Sequence, residues 1–146
     1  MNTENEKIHI STSEEETEAL GAALARELAP GSIVLLCGDL GAGKTVFSRG
    51  FARGLGVTEP VSSPTYTIVQ EYELPTGNRL YHMDLYRIAD ERAALGFGVD
   101  EFLSEPGSFS LVEWPERIKG LLPDTTIRVE LTHRSENERE IRIILP

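Results

Sequence analysis

The stretch "SIVLLC", Ser32 to Cys37, runs directly into "GDLGAGKT", Gly38 to Thr45, and then into "VFSRGFARGLG". A continuous apolar run is what a strand covered on both faces of a parallel sheet requires. Gly38 and Gly43, followed by Lys44 and Thr45, satisfy G-x-x-x-x-G-K-[ST], the pattern that wraps backbone N–H groups around phosphates. The segment after it reads as a helix that turns Val46, Phe47, Phe51 and Leu55 inward, with Gly50 and Gly54 permitting close packing and Gly56 ending it. Strand, loop and helix therefore follow in the order that a phosphate loop needs.

The rest of the chain reads as additions to that unit. "KIHI" alternates as a half-buried strand, and a helix follows, with Ser13 as N-cap, Glu16 at capping-box spacing, and Leu20, Leu24 and Leu28 along one face before Pro30 and Gly31. "YTIVQEYEL" and "RLYHMDLY" flank the turn "PTGN" as an antiparallel hairpin. "DERAALGF" and "VDEFL" read as short helical pieces, "SFSLVEW" as a second core parallel strand, and "PERIKGLL" as a short helix. Two alternating runs close the chain as a hairpin: Ile127, Val129 and Leu131, then Ile141, Ile143 and Leu145. With no repeats or linkers in 146 residues, 40% of them hydrophobic, residues 1–146 read as one domain. Its class is α/β, with a P-loop NTPase-like parallel central sheet and flanking antiparallel strands and helices.

Composition excludes some roles. Fourteen Lys and Arg against 24 Asp and Glu give a formal net charge of -10, which opposes a nonspecific grip on a phosphate backbone. Cys37, the single cysteine, reads as a small buried hydrophobe. Neither a signal peptide nor an apolar stretch of membrane-spanning length is visible, so a soluble cytoplasmic protein without membrane attachment is expected.

The chemistry is expected at the loop. Asp39 and Leu40 open it, and backbone amides of Gly41, Ala42, Gly43, Lys44 and Thr45 point at the phosphates, where the helix dipole also favours anions. Lys44 reads as a solvated loop lysine whose ammonium bridges the β- and γ-phosphates, and the Thr45 hydroxyl as a magnesium ligand. Phosphoryl transfer also needs an acid on a neighbouring strand. Asp84 ends "LYHMD" and Glu113 ends "SLVE", and both are candidates for the metal or its waters. His82 and His133 lack a partner at metal-ligand spacing and receive no role, whereas Trp114 reads equally well as packing or as a contact to nucleotide or partner.

At these residues the chain resembles the TsaE (YjeE) family of bacterial tRNA threonylcarbamoyladenosine biosynthesis. "GDLGAGKT", "FSRGF", "SPTYT" at Ser63 to Thr67, "HMDLYR" at His82 to Arg87 and "LVEWPE" at Leu111 to Glu116 occur in the family's order and approximate spacing. The resemblance implies a magnesium-dependent ATPase, weak alone and activated by its partners TsaD and TsaB, which meets tRNA only through that complex. It also implies that Thr65 is a switch threonine near the γ-phosphate or metal, that Asp84 organises the attacking water, and that Glu113 is the Walker B magnesium acid. Ser13 and Arg139 fall where the family has further nucleotide contacts. A GTPase is disfavoured because no N/T-K-x-D element is present. A small P-loop kinase and a nonenzymatic nucleotide-sensing interaction module stay open as alternatives, the kinase being short of chain for an acceptor pocket and lid.

Overall fold

Alternation of apolar residues on the strands divides the core in two, and one sheet separates the halves. The computed structural model describes residues 5–39, 42–62 and 68–146. Its strands are β1 (Glu6–Ser11), β2 (Ile33–Gly38), β3 (Val69–Glu73), β4 (Arg79–Asp84), β5 (Phe109–Glu113), β6 (Ile127–Ser135) and β7 (Glu138–Ile144). They form one seven-stranded sheet in the order β1-β7-β6-β2-β5-β4-β3. The inner four, β6, β2, β5 and β4, are parallel, while β7 and β1 on one side and β3 on the other run antiparallel to their neighbours. The expected parallel centre with antiparallel flanks is thus present.

Helices α1 (Glu14–Glu27) and α2 (Lys44–Gly54) cover one face. Leu24, Phe47 and Phe51 pack there against Val34, Leu36, Leu111, Val129 and Ile141. Phe47 and Phe51 are fully buried, whereas Val46, expected inward, is only half-buried. The other face carries α3 (Glu91–Gly96), α4 (Val99–Ser104) and a 3-10 segment (Pro115–Leu121), over Leu35, Tyr81, Met83 and Val112. That segment, expected as a short helix, is 3-10 and interrupted at Ile118, whose φ of -130° is not helical.

Two local features place α2. Ser13 caps α1 as expected, accepting from Glu16 N–H at 3.1 Å, while the Glu16 carboxylate reaches back to Thr12 rather than to the cap residue itself. Gly50 then lets the two helices touch: a Cβ there would collide with the backbone carbonyl of Glu18, so only a hydrogen fits. Glu18 also pairs with Arg49 at 3.9 Å and with Arg53, which fixes the helices side by side. No helix among the described residues is long and apolar enough to cross a membrane.

Candidate functional site

The loop between β2 and α2 leaves the sheet at its C-terminal edge, where ligands collect in open α/β sheets. Gly43 stands at φ 101° just before the helix, a conformation that costs a side-chain-bearing residue strain and glycine none. Gly38 ends β2 so close to β6 that a Cβ would lie 2.6 Å from the Leu131 carbonyl oxygen. Ala42 N–H donates to the Asp39 carbonyl at 3.0 Å, which tightens the turn, and Ala42 is buried while Asp39 is exposed. Leu40 and Gly41 lie outside the described residues, as does Thr65 with the whole of "SPTYT".

Lys44 is the first residue of α2, and here the structure corrects the sequence reading: its side chain is only 12% exposed rather than solvated. The reason is that two groups from the end of β5 enclose it. Its Nζ lies 3.8 Å from Glu113 Oε1 and 5.3 Å from the centre of the Trp114 ring. Thr45, next along the first turn, is exposed.

Sheet register brings the two acids together. Asp84 and Glu113 are direct partners across β4 and β5, and Leu36 lies opposite Glu113 on β2. Because alternate residues share a face, Leu80, His82 and Asp84 on β4 and Leu111 and Glu113 on β5 all belong to the α2 side. Glu113 is buried, with Oε2 2.7 Å from His82 Nε2. Asp84 is half-buried, and its Oδ1 accepts from Tyr86 N–H at 3.0 Å. The strand ends are further tied by the Leu85 N–H, which donates to the Glu113 carbonyl at 3.2 Å. Tyr86 and Trp114 pack beyond them in a tilted pair, with ring centres 5.1 Å apart and planes at 57°.

The remaining expected residues sit to one side. Ser11 Oγ is 2.7 Å from Thr17 Oγ1, and Thr17 is a neighbour of Gly43, so the start of α1, Ser13 included, flanks the loop. Ser13 is occupied with its cap. Arg139 on β7 pairs with Ser11 in register and donates to the carbonyls of Ser135 and Glu138. Cys37, expected buried, is half-buried, and partial burial pushes its thiol above the ordinary range.

The donor set suits magnesium. Thr45, Asp84 and Glu113 supply hard oxygens, and magnesium takes one or two carboxylates plus phosphate oxygens and waters rather than a closed protein cage. No cluster of three or more His, Cys, Asp or Glu that could hold a metal occurs among the described residues. His82, given no role from sequence, makes a buried contact with Glu113 that the sequence reading did not foresee. The available signal was period two, which puts it on the same face as Asp84.

Comparison with known proteins points to one family. A family model described as "Threonylcarbamoyl adenosine biosynthesis protein TsaE" matches residues 11–141. The chain is 45% identical over 130 residues to the tRNA threonylcarbamoyladenosine biosynthesis protein TsaE of Bacillus subtilis, spanning 87% of this chain and 78% of that one. It is 37% identical over 134 residues to the protein of the same name from Treponema pallidum, with 92% and 97% covered. The crystal structure of Bacillus subtilis YdiB superposes with a TM-score of 0.79 at 37% identity, over 96% of this chain and 85% of that one.

Proposed function

This chain belongs to the TsaE family of tRNA threonylcarbamoyladenosine biosynthesis, and on that premise we propose that it is a magnesium-dependent ATPase serving that modification. Residues 1–146 act as one domain in the cytoplasm. The protein turns ATP over slowly alone and faster with its partners TsaD and TsaB, and it meets tRNA only through them. The observation that carries this reading is the convergence of Lys44, at the start of α2, with Glu113, at the end of the neighbouring core strand, 3.8 Å apart.

In the proposed reaction, water attacks the γ-phosphorus of ATP, the bond to the ADP oxygen breaks, and ADP and phosphate leave. Asp39, Leu40, Gly41, Ala42, Gly43, Lys44 and Thr45 form the cradle, with Ser13 and Arg139 as outer contacts. Lys44 leaves its pairing with Glu113 for the β- and γ-phosphates, where charge accumulates. Thr45 and Glu113 would hold magnesium, with Asp84 orienting the water and Thr65 approaching the γ-phosphate. The metal supplies charge neutralisation on the phosphate oxygens when bound. The acidic composition favours this over direct RNA binding.

Phosphate release from ATP, measured with and without purified TsaB and TsaD, tests the reading. Slow release that the partners accelerate is expected. ATP bound without turnover under both conditions would replace the ATPase with a nucleotide sensor, and transfer to a small acceptor would replace it with a kinase. A competition titration should favour ATP over GTP, and equal or tighter GTP binding would reject that preference.

A further inference from the structure

His82 and Glu113 make a buried contact that phosphate binding alone does not require. They lie one step apart on the diagonal of the β4–β5 pair: His82 is level with Leu111, two residues before Glu113 on the same face. Both are buried, His82 at 1% exposure and Glu113 at 5%. A carboxylate only accepts hydrogen bonds, so in the 2.7 Å contact it is Nε2 that donates, to Oε2. The other ring nitrogen, Nδ1, is buried and has no hydrogen-bond partner among the described residues. Among the described residues Glu113 is therefore the polar anchor of the ring, and a buried polar atom left unsatisfied has a cost that a purely apolar side chain here would avoid.

What this arrangement accomplishes is visible at the other oxygen. With Oε2 held by His82, Oε1 is the oxygen that faces Lys44 and the first turn of α2. An unanchored carboxylate could rotate to present either oxygen, or both, to the ammonium 3.8 Å away. We propose that His82 is a positioning residue, whose Nε2–H fixes the Glu113 carboxylate so that one oxygen remains directed at the magnesium and phosphate side of the loop. The inference rests on the magnesium-dependent nucleotide reading above and adds to it a group outside the set that touches nucleotide or metal. Its physical basis is the general one for metal sites, in which a hydrogen-bond partner behind a ligand orients it and tunes its affinity.

The test uses the full chain and compares His82→Leu, His82→Asn and His82→Gln with the wild type. Glutamine can place an amide N–H near the position of Nε2–H, asparagine is too short to do so, and leucine has no donor. ATP binding is measured by calorimetry across a magnesium series and again in EDTA, with the melting temperature of each variant. The expected result is a magnesium midpoint raised about tenfold in His82→Leu and His82→Asn and within about threefold of wild type in His82→Gln. The shift should appear in the magnesium series rather than in EDTA. In a Glu113→Gln background, His82→Leu should move the midpoint no further, because His82 acts through that carboxylate.

Equal midpoints in His82→Gln and His82→Asn, or a melting temperature that falls while the midpoint stays put, would overturn the assignment and leave His82 a core residue. If His82→Leu does not fold, the Gln and Asn pair decides. A wild type that binds ATP normally while the variants are unshifted removes only the positioning role. A wild type that binds no ATP with magnesium overturns the nucleotide reading and this inference together.

Discussion

Lys44→Met separates what the lysine does for the resting protein from what it does for nucleotide. Methionine keeps most of the aliphatic stem and removes the ammonium, so the packing against Trp114 largely survives. At the 3.8 Å separation from Glu113, the Coulomb attraction is about 4 kcal/mol at an effective dielectric of about 20. Much of that is offset by the desolvation of two enclosed charges, and Glu113 keeps its hydrogen bond from His82. The net loss should be about 2 kcal/mol, below the usual cost of orphaning a buried charge. For a chain of this size that corresponds to a melting temperature lower by about 6–8 °C, read by circular dichroism without nucleotide. Removing both charges should be gentler than removing one, so Lys44→Met/Glu113→Gln should recover about half of the loss or more. ATP affinity should fall about 10- to 150-fold in either variant, as expected for a lost charge-assisted bond to phosphate. An unchanged melting temperature in Lys44→Met would refute the coupling to Glu113, and an unchanged ATP affinity would refute the phosphate-loop role.

The acids should divide their labour: Glu113→Gln should weaken magnesium-dependent ATP binding, whereas Asp84→Asn should bind ATP yet lose hydrolysis in single-turnover assays. The reverse pattern would exchange their roles, and wild-type behaviour in both would remove the pair from the mechanism. Gly50→Ala should destabilise the protein by about 1–3 kcal/mol in a urea titration, because its Cβ meets the Glu18 backbone and α1 and α2 must separate; a change within experimental error would mean that the helix contact is loose. Burial raises the Cys37 thiol pKa, so the thiolate forms only above the ordinary range and alkylation at neutral pH should be slower than for a free thiol. The same shift favours the folded state below the unfolded thiol's pKa, and that contribution fades as pH rises through the raised value. Alkylation at the free-thiol rate would contradict this.

The parts legible in the sequence were those set by local rules. "SIVLLC" into "GDLGAGKT" into a helix is a contiguous signal, and β2 and α2 appear where it puts them. Ser13 as a cap and the two hairpins are likewise short-range features. What the sequence did not reveal depends on register between strands distant in the chain. His82 and Glu113 are 31 residues apart, and only the pairing of β4 with β5 makes them neighbours. The burial of Lys44 has the same origin, since its enclosing groups arrive from the end of β5. The break at Ile118, fully buried under the second face of the sheet, carries no local signal in the sequence.

Trp114 shows how the strand ends and the loop become one unit. It stands at φ 59°, the one non-glycine residue with positive φ among the described residues, and it precedes Pro115. A left-handed conformation costs such a residue about 1–2 kcal/mol, so its surroundings must hold it there. The turn it makes takes the chain sharply from β5 into the 3-10 segment and leaves its ring between two partners, the Lys44 ammonium and the Tyr86 ring. Tyr86 in turn donates its backbone N–H to Asp84, so the aromatic pair spans the ends of the two strands that carry the acids. If Lys44 moves to phosphate, Trp114 loses the cation over its ring, and the packing that offsets its backbone strain changes at the point where β4 and β5 end. Tyr86, 58% exposed, is the outward member of the aromatic pair.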